Sequence, residues 1–146
     1  MTSGRRPAVL LALLVATASL SACTEVKPAD KEHYSPAAVS PVEGQDDLLA
    51  VTLTEEGARR IAIATAAVQR RGGHKTIPYA ALLYDNDGSA FVYTNPRGLT
   101  YVRAHIEIDR VAGDRVLLDE GPAVGTRVVT DGAPQVHGAE LEYGEY

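Results

Sequence analysis

The chain has 146 residues, a formal net charge of −5, 45% hydrophobic residues and a single cysteine. This length leaves room for one modest domain once an N-terminal processing segment is set aside. An acidic chain without a cluster of Lys and Arg argues against nucleic acid as a partner, because phosphates demand concentrated positive charge. One cysteine excludes an internal disulfide and a cysteine-rich metal site, so packing has to supply the stability.

Residues 1–22 have the pattern of an export signal. Arg5 and Arg6 form a positive start, and an apolar run follows over residues 8–18 with one threonine near its end. That run is about half of the ~20 residues that a membrane-spanning helix requires. The pattern therefore predicts a signal peptide rather than a permanent transmembrane helix.

The segment that ends this signal resembles the lipobox of bacterial lipoproteins. It reads Leu20-Ser21-Ala22-Cys23. By this resemblance Cys23 receives a diacylglyceryl thioether and becomes the new N-terminus, on the extracytoplasmic face of the membrane. Two or more acyl chains hold a protein on a membrane durably. The alternative is an ordinary secretory signal with an incidental cysteine, which leaves a lone free thiol on an exported protein.

Residues 23–47 are predicted to carry the lipid anchor and a disordered linker. The segment contains Pro28, Pro36 and Pro41, many charges, few large apolar residues and no periodicity. A folded β-domain is then expected over residues 48–146.

The start of that domain has strand and helix signals in succession. Val51 and Leu53 indicate a short strand, and Thr54 is a typical helix N-cap. Glu55 and Glu56 follow in the first turn, where carboxylates favour the helix dipole. We expect one short helix that hardly runs beyond two or three turns, because Gly57 weakens it.

The remainder predicts short strands separated by turns. Asp85-Asn86-Asp87-Gly88 is a strong turn signal between two strands. Apolar and polar residues alternate over residues 100–109, which predicts one half-buried strand with Arg103 and His105 on its solvent side. The expected fold class is all-β: a small antiparallel β-barrel or roll with one short helix.

No catalytic constellation emerges from the residues. The chain has neither a phosphate-binding glycine loop nor a nucleophile elbow. Its histidines are far apart in the chain: His33, His74, His105 and His137. Three of them converging to bind zinc or copper is possible, but nothing in their spacing requires it. We therefore expect no enzyme activity, no cofactor and no metal site.

Six segments in succession resemble motifs of periplasmic adaptor subunits, also called membrane fusion proteins, of resistance-nodulation-division efflux pumps and related exporters. The segments are Val51–Glu56, Ile61–Val68, Ile77–Gly88, Tyr101–Arg103, Gly113–Val116 and Gly125–Ala133. Each alone is a generic β-turn signature, but their order and spacing together are specific. The resemblance covers the chain from about Leu48 to its C-terminus.

The chain also departs from that family. Complete adaptors insert a lipoyl-like half-motif and a long helical hairpin, and the few residues between Val68 and Ile77 leave no room for either. The matching parts are the barrel and membrane-proximal regions, which in the family pack against the extracytoplasmic face of a transporter. The resemblance thus implies a truncated, non-catalytic accessory protein, attached to membrane lipid through Cys23, whose partner is an efflux transporter of the resistance-nodulation-division or ABC type.

Two other functions are compatible with the sequence. One is a surface lipoprotein that binds a small molecule or a metal, with His105 and outward tyrosines lining a pocket. The other is a structural envelope protein whose β-domain packs on cell-wall polymer. Scarce aromatic residues disfavour carbohydrate stacking, although seven tyrosines do not exclude it.

Overall fold

Short antiparallel strands make up most of residues 35–143, the part of the chain that the structure, a computed structural model, describes. In chain order they are β1 (Ala37–Val42), β2 (Gln45–Leu53), β3 (Ala64–Ala67), β4 (Gln69–Arg71), β5 (His74–Pro78), β6 (Leu83–Tyr84), β7 (Ala90–Arg97), β8 (Thr100–His105), β9 (Glu107–Ala112), β10 (Arg115–Glu120) and β11 (Arg127–Asp131). Two α-helices, α1 (Glu55–Arg60) and α2 (Ala133–Tyr143), and a 3-10 helix (Tyr79–Ala81) connect or follow them. The predicted all-β class is confirmed.

Hydrogen bonding divides the strands into two sheets. The first sheet has the order β1-β2-β8-β7-β11-β3, and β6 also pairs with β7. The second has the order β4-β5-β10-β9. Neither described path returns to its first strand, so the described strands form open sheets packed as a roll. Of the two arrangements expected, barrel or roll, the structure agrees with the roll.

The centre of the first sheet is buried on both faces. Along β7 and β11, successive side chains enter two different hydrophobic cores. Phe91, Tyr93 and Val129 belong to the core under the helices, which we call the first core. Ala90, Val92 and Val128 belong to the core against the second sheet, which we call the second core. The described part of the chain therefore has three layers, namely helices, first sheet and second sheet, because a strand without a polar face requires cover on both sides.

The folded unit begins earlier than predicted. Strand β1 lies inside the segment expected to be a disordered linker, and it pairs with β2 in a register that joins Ala37 to Leu53. Ala37 is only 4% exposed, and Val39 packs against the first core. Pro41 is tolerated because β1 is an edge strand, where a missing N–H costs no ladder bond. The linker prediction is wrong from residue 37 onward.

Helix α1 follows the local signals in the sequence. The Thr54 side chain accepts a hydrogen bond from the Gly57 N–H at 3.0 Å, as an N-cap residue does. The acidic residues expected in the first turn are there, and Arg60 at the other end pairs with Glu56. The predicted cap and short helix are confirmed.

The long alternating strand predicted over residues 100–109 is wrong. The chain instead leaves the first sheet at the end of β8, passes through the buried Ile106 and enters the second sheet as β9. Apolar and polar residues continue to alternate across this crossing, because the first and second sheets each have one face on the core that lies between them. The local pattern therefore does not reveal where one strand ends and the next begins.

Helix α2 was not predicted from the sequence. It begins after Gly132, whose carbonyl accepts hydrogen bonds from the N–H groups of Gln135 and Val136. The available signal was Pro134 in the first turn, a position where a missing N–H is harmless. Of the helices described, none is both long and apolar enough to cross a membrane.

We expect Ile77→Ala to destabilise the protein by about 2–5 kcal/mol, because it empties a fully buried site in the second core. Val111→Ala is the control. Ile77 and Val111 both pair with Val116, one on each side of β10. Val111, however, is 48% exposed at the edge of the sheet. Chemical denaturation should show that the control lowers the free energy of unfolding by at most about 0.5 kcal/mol. Equal losses would contradict this description of the core.

Candidate functional site

Five polar side chains meet beneath α2. We call them the Arg103 cluster: Asp85, Tyr93, Arg103, His137 and Glu140. Tyr93 and Arg103 come from the neighbouring strands β7 and β8, which are paired in register at these two positions. Asp85 comes from the turn between β6 and β7, and the other two come from α2. Residues far apart in the chain are thus brought to one side of the first sheet.

Arg103 is at the centre of the cluster. Its Nη1 donates to Asp85 Oδ2, and its Nη2 donates to Glu140 Oε2 at 3.2 Å. The guanidinium carbon also lies 4.2 Å from the centre of the Phe91 ring, in cation–π contact. Its side chain is 21% exposed, whereas that of Glu140 is 10% exposed, so this ion pair is largely shielded from water.

Tyr93 and His137 complete the cluster. The Tyr93 hydroxyl donates to Glu140 Oε2 and lies 3.2 Å from His137 Nδ1. The same His137 nitrogen lies 3.4 Å from Arg103 Nη2. Glu140 therefore accepts from a phenol and a guanidinium at once, which satisfies a buried carboxylate that would otherwise be costly.

The charges of the cluster change the proton affinities of its members. Burial and the Glu140 carboxylate raise the pKa of the Tyr93 phenol far above its usual value. Burial opposes the charge on Arg103, but the attraction of Glu140 outweighs it and raises the pKa of the guanidinium. The Asn86 backbone N–H and the Arg103 guanidinium hold the pKa of Asp85 below its usual value. The Asp85 carboxylate and the Arg103 guanidinium are thus both ionised at neutral pH.

The cluster attaches α2 to the sheet. The helix contributes only two fully buried apolar side chains to the first core, Ala133 and Val136. Glu140 lies on the same face one turn further, and hydrogen bonds to charged groups contribute roughly 1.5–3 kcal/mol each. Because Glu140 accepts hydrogen bonds from Tyr93 and Arg103 on the sheet, these contacts hold α2 against the first sheet. One atom, Arg103 Nε, is buried without a hydrogen-bond partner among the described residues.

Sequence reasoning missed this cluster. Arg103 was expected on the solvent side of its strand, but it lies on the same face as the buried Tyr101 and beside Phe91. The physical reason is that α2 brings a carboxylate to cover it. The one available signal was the spacing of Ala133, Val136, His137 and Glu140, which are at i, i+3, i+4 and i+7 on one helical face.

A second feature is a groove between α1 and α2, with a volume of about 300 Å³. We call it the α1–α2 groove. Pro36, Gly57 and Ile61 line one side of it, and Ala37 and Leu53 line its buried part, at 4% and 7% exposure. All five residues are apolar or lack a side chain.

The opposite wall of the α1–α2 groove is one face of α2. Gln135, Gly138, Ala139 and Glu142 line it, again at i, i+3, i+4 and i+7. The two polar residues are exposed, and the two small residues lie between them. Helix α2 thus presents one face to the first core and another to an open apolar groove.

The histidines do not converge. His74 Nδ1 lies 3.8 Å from Asp109 Oδ2 on the second sheet, His105 is exposed at the end of β8, and His137 is in the Arg103 cluster. His33 lies outside the described residues. Among residues 35–143, no group of three or more His, Cys, Asp or Glu side chains could hold a metal ion.

The residues suggested for a ligand pocket lie outside three cavities in the described part of the chain. Besides the α1–α2 groove there is a cavity of about 510 Å³ beside α1 and another of about 430 Å³ beside the β1–β2 turn. His105 and the exposed Tyr79 and Tyr84 line none of these three cavities.

Cys23 and the predicted signal peptide at residues 1–22 lie outside the described residues, so the lipid anchor and the signal peptide remain predictions. No protein-family model matches the chain, and no curated protein matches it. Any function must therefore be argued from the residues of this chain.

We expect Glu140→Gln to destabilise the protein by about 1.5–3 kcal/mol, the range for hydrogen bonds to charged groups. The neutral amide still accepts from Tyr93 but no longer attracts Arg103. Glu142→Gln, on the exposed part of the same helix, is the matched control and should cost at most about 0.5 kcal/mol. Urea denaturation of both variants checks this, and equal stabilities would show that the cluster does not hold α2.

High pH should unfold the protein through its buried phenols. Burial raises the pKa of Tyr101 as well as that of Tyr93, so the folded state holds both protons more tightly than the unfolded state. Their contribution is fully present below the unfolded pKa of about 10 and is lost as pH rises above it. Absorbance titration near 295 nm should show these two phenols ionising together with unfolding. Tyr93→Phe should remove one of them, and ionisation of both near pH 10 in the folded protein would contradict their burial.

Proposed function

We propose that the chain is a lipid-anchored extracytoplasmic accessory protein of a membrane efflux transporter, without catalytic activity of its own. Acylated Cys23 attaches it to the membrane, and its β-domain binds and orients the external part of the transporter. The proposal rests on the lipobox-like segment and on the resemblance to periplasmic adaptor subunits.

The observation that carries the proposal is the succession of the six adaptor-like segments within one folded unit. Val51–Glu56 spans the end of β2 and the start of α1, and Ile77–Gly88 spans β5 through the turn after β6. Gly113–Val116 is the β9–β10 turn, and Gly125–Ala133 runs through β11 to the start of α2. These four motifs thus fall, in chain order, on strands and on the turns or helices that follow them within one folded unit, which supports the resemblance.

The start of the folded unit bounds the length of the proposed tether. Its first strand begins at Ala37, so the tether after Cys23 is shorter than the linker predicted from sequence. Twelve residues separate Cys23 from Pro36, which makes thirteen Cα–Cα steps. Even fully extended they span no more than about 47 Å. An accessory domain on this tether works close to the bilayer and beside a transporter in the same membrane.

We expect Cys23→Ser to move the protein from the membrane fraction to the soluble fraction and to remove the mass of the acyl groups. The reason is that serine cannot form the thioether, and without acyl chains only weak attachment remains. Ser21→Ala, which leaves Cys23 in place, is the control and should stay in the membrane fraction. Mass spectrometry of the N-terminal peptide reads the modification directly, and an unmodified Cys23 in the wild-type protein would overturn the anchor.

Affinity purification of the protein from crosslinked membranes, followed by mass spectrometry of the co-purified proteins, tests whether it binds a transporter. We expect a transporter among the recovered proteins, and its loss with the Cys23→Ser variant. Recovery of the protein alone, or with cell-wall material only, would overturn the accessory function while leaving the fold and the anchor unaffected.

A further inference from the structure

Gly138 is at the middle of α2 without a packing reason to be glycine. Glycine in a helix interior lowers helix stability relative to alanine. A Cβ built at this position meets no atom within 4 Å, whereas one at Gly57 would lie 2.6 Å from the Pro36 carbonyl oxygen. Close packing thus explains Gly57 but not Gly138. What Gly138 does provide is an open α1–α2 groove.

The chemistry of the α1–α2 groove suits a hydrocarbon. Its buried part is formed by Ala37 and Leu53, and among the described residues the only polar side chains that line it are the exposed Gln135 and Glu142. A peptide would bring N–H and C=O groups that need partners, and buried polar groups without partners are costly. An alkyl chain needs none.

The position of the α1–α2 groove identifies a source of such a chain. Pro36 lines the groove, and it is the residue through which the polypeptide from Cys23 enters β1. With twelve residues between them, a chain on Cys23 has the groove within reach and is held at high effective concentration around it.

We propose that the α1–α2 groove binds part of an acyl chain carried by Cys23, an inference that rests on the lipid anchor of the proposed function. A volume of about 300 Å³ is at the lower end of the range for small-molecule sites, so it holds a segment of one chain. The groove shelters that segment while the protein is in water. The bilayer, which is equally apolar and far larger, takes the chain when the membrane is reached.

The test attaches the alkyl chain chemically, so that it does not depend on lipidation in a cell. The chain from Cys23 onward contains all of the described unit and a single thiol. It is alkylated at that thiol with either dodecyl maleimide or methyl maleimide, and thermal unfolding is measured in detergent-free buffer. We expect the dodecyl form to melt about 5 °C or more above the methyl form.

Two substitutions at one position give the matched comparison. Gly138→Leu fills the α1–α2 groove and should abolish the difference between dodecyl and methyl forms, while Gly138→Ala should retain it. Both strengthen the helix, so circular dichroism and the melting of their methyl forms establish that both are folded. Methyl resonances of Ala139 and Leu53 should shift with the dodecyl chain in the wild type and not in Gly138→Leu.

Three outcomes would overturn the proposal. Equal melting of the dodecyl and methyl forms would show that no chain binds, although Cys23 could still be acylated in cells. A difference that persists in Gly138→Leu would place the chain elsewhere. A stability gain that grows with protein concentration, with dimers in light scattering, would assign the α1–α2 groove to a second copy.

Discussion

The double burial of β7 is the constraint on which the rest of the structure depends. Phe91 and Tyr93 leave one face of the strand and Val92 the other, and each is at most 2% exposed. A strand of this kind is stable only when both faces are covered, because burial of each such side chain contributes roughly 1.5–3 kcal/mol. The second sheet covers one face, and α1 and α2 cover the other. The three-layer arrangement follows.

The second sheet and helix α2, which cover opposite faces of β7, are held in place by different interactions. The second sheet packs through apolar side chains such as Ile77, Val116 and Leu118. Helix α2 has a narrower apolar stripe and is held in addition by the Arg103 cluster. Breaking one partner of a buried ion pair is more costly than the pair is favourable, so such a cluster specifies the position of the helix more than it adds stability. The position of α2 therefore depends on the directional hydrogen bonds and the ion pair of the Arg103 cluster.

The same helix connects fold and proposed function. One face of α2 closes the first core, and the adjacent face, with Gly138 and Ala139, forms a wall of the α1–α2 groove. At the other wall, Pro36 is the residue that precedes β1, where the proposed tether would enter the domain. In the proposed function, the tether would therefore join the domain beside an apolar surface. The proposed anchor and the proposed groove thus belong to one region.

What the sequence by itself determined is local. Thr54 caps α1, the turn at residues 85–88 joins two paired strands, and the antiparallel class follows from short strands between turns. These features depend on neighbours within a few residues. Tertiary structure alone decided the burial of Arg103, the pairing of β1 and the crossing at Ile106 between the sheets. Each depends on contacts between distant positions, such as Arg103 with Glu140, and a local pattern contains no information on which distant residue covers it.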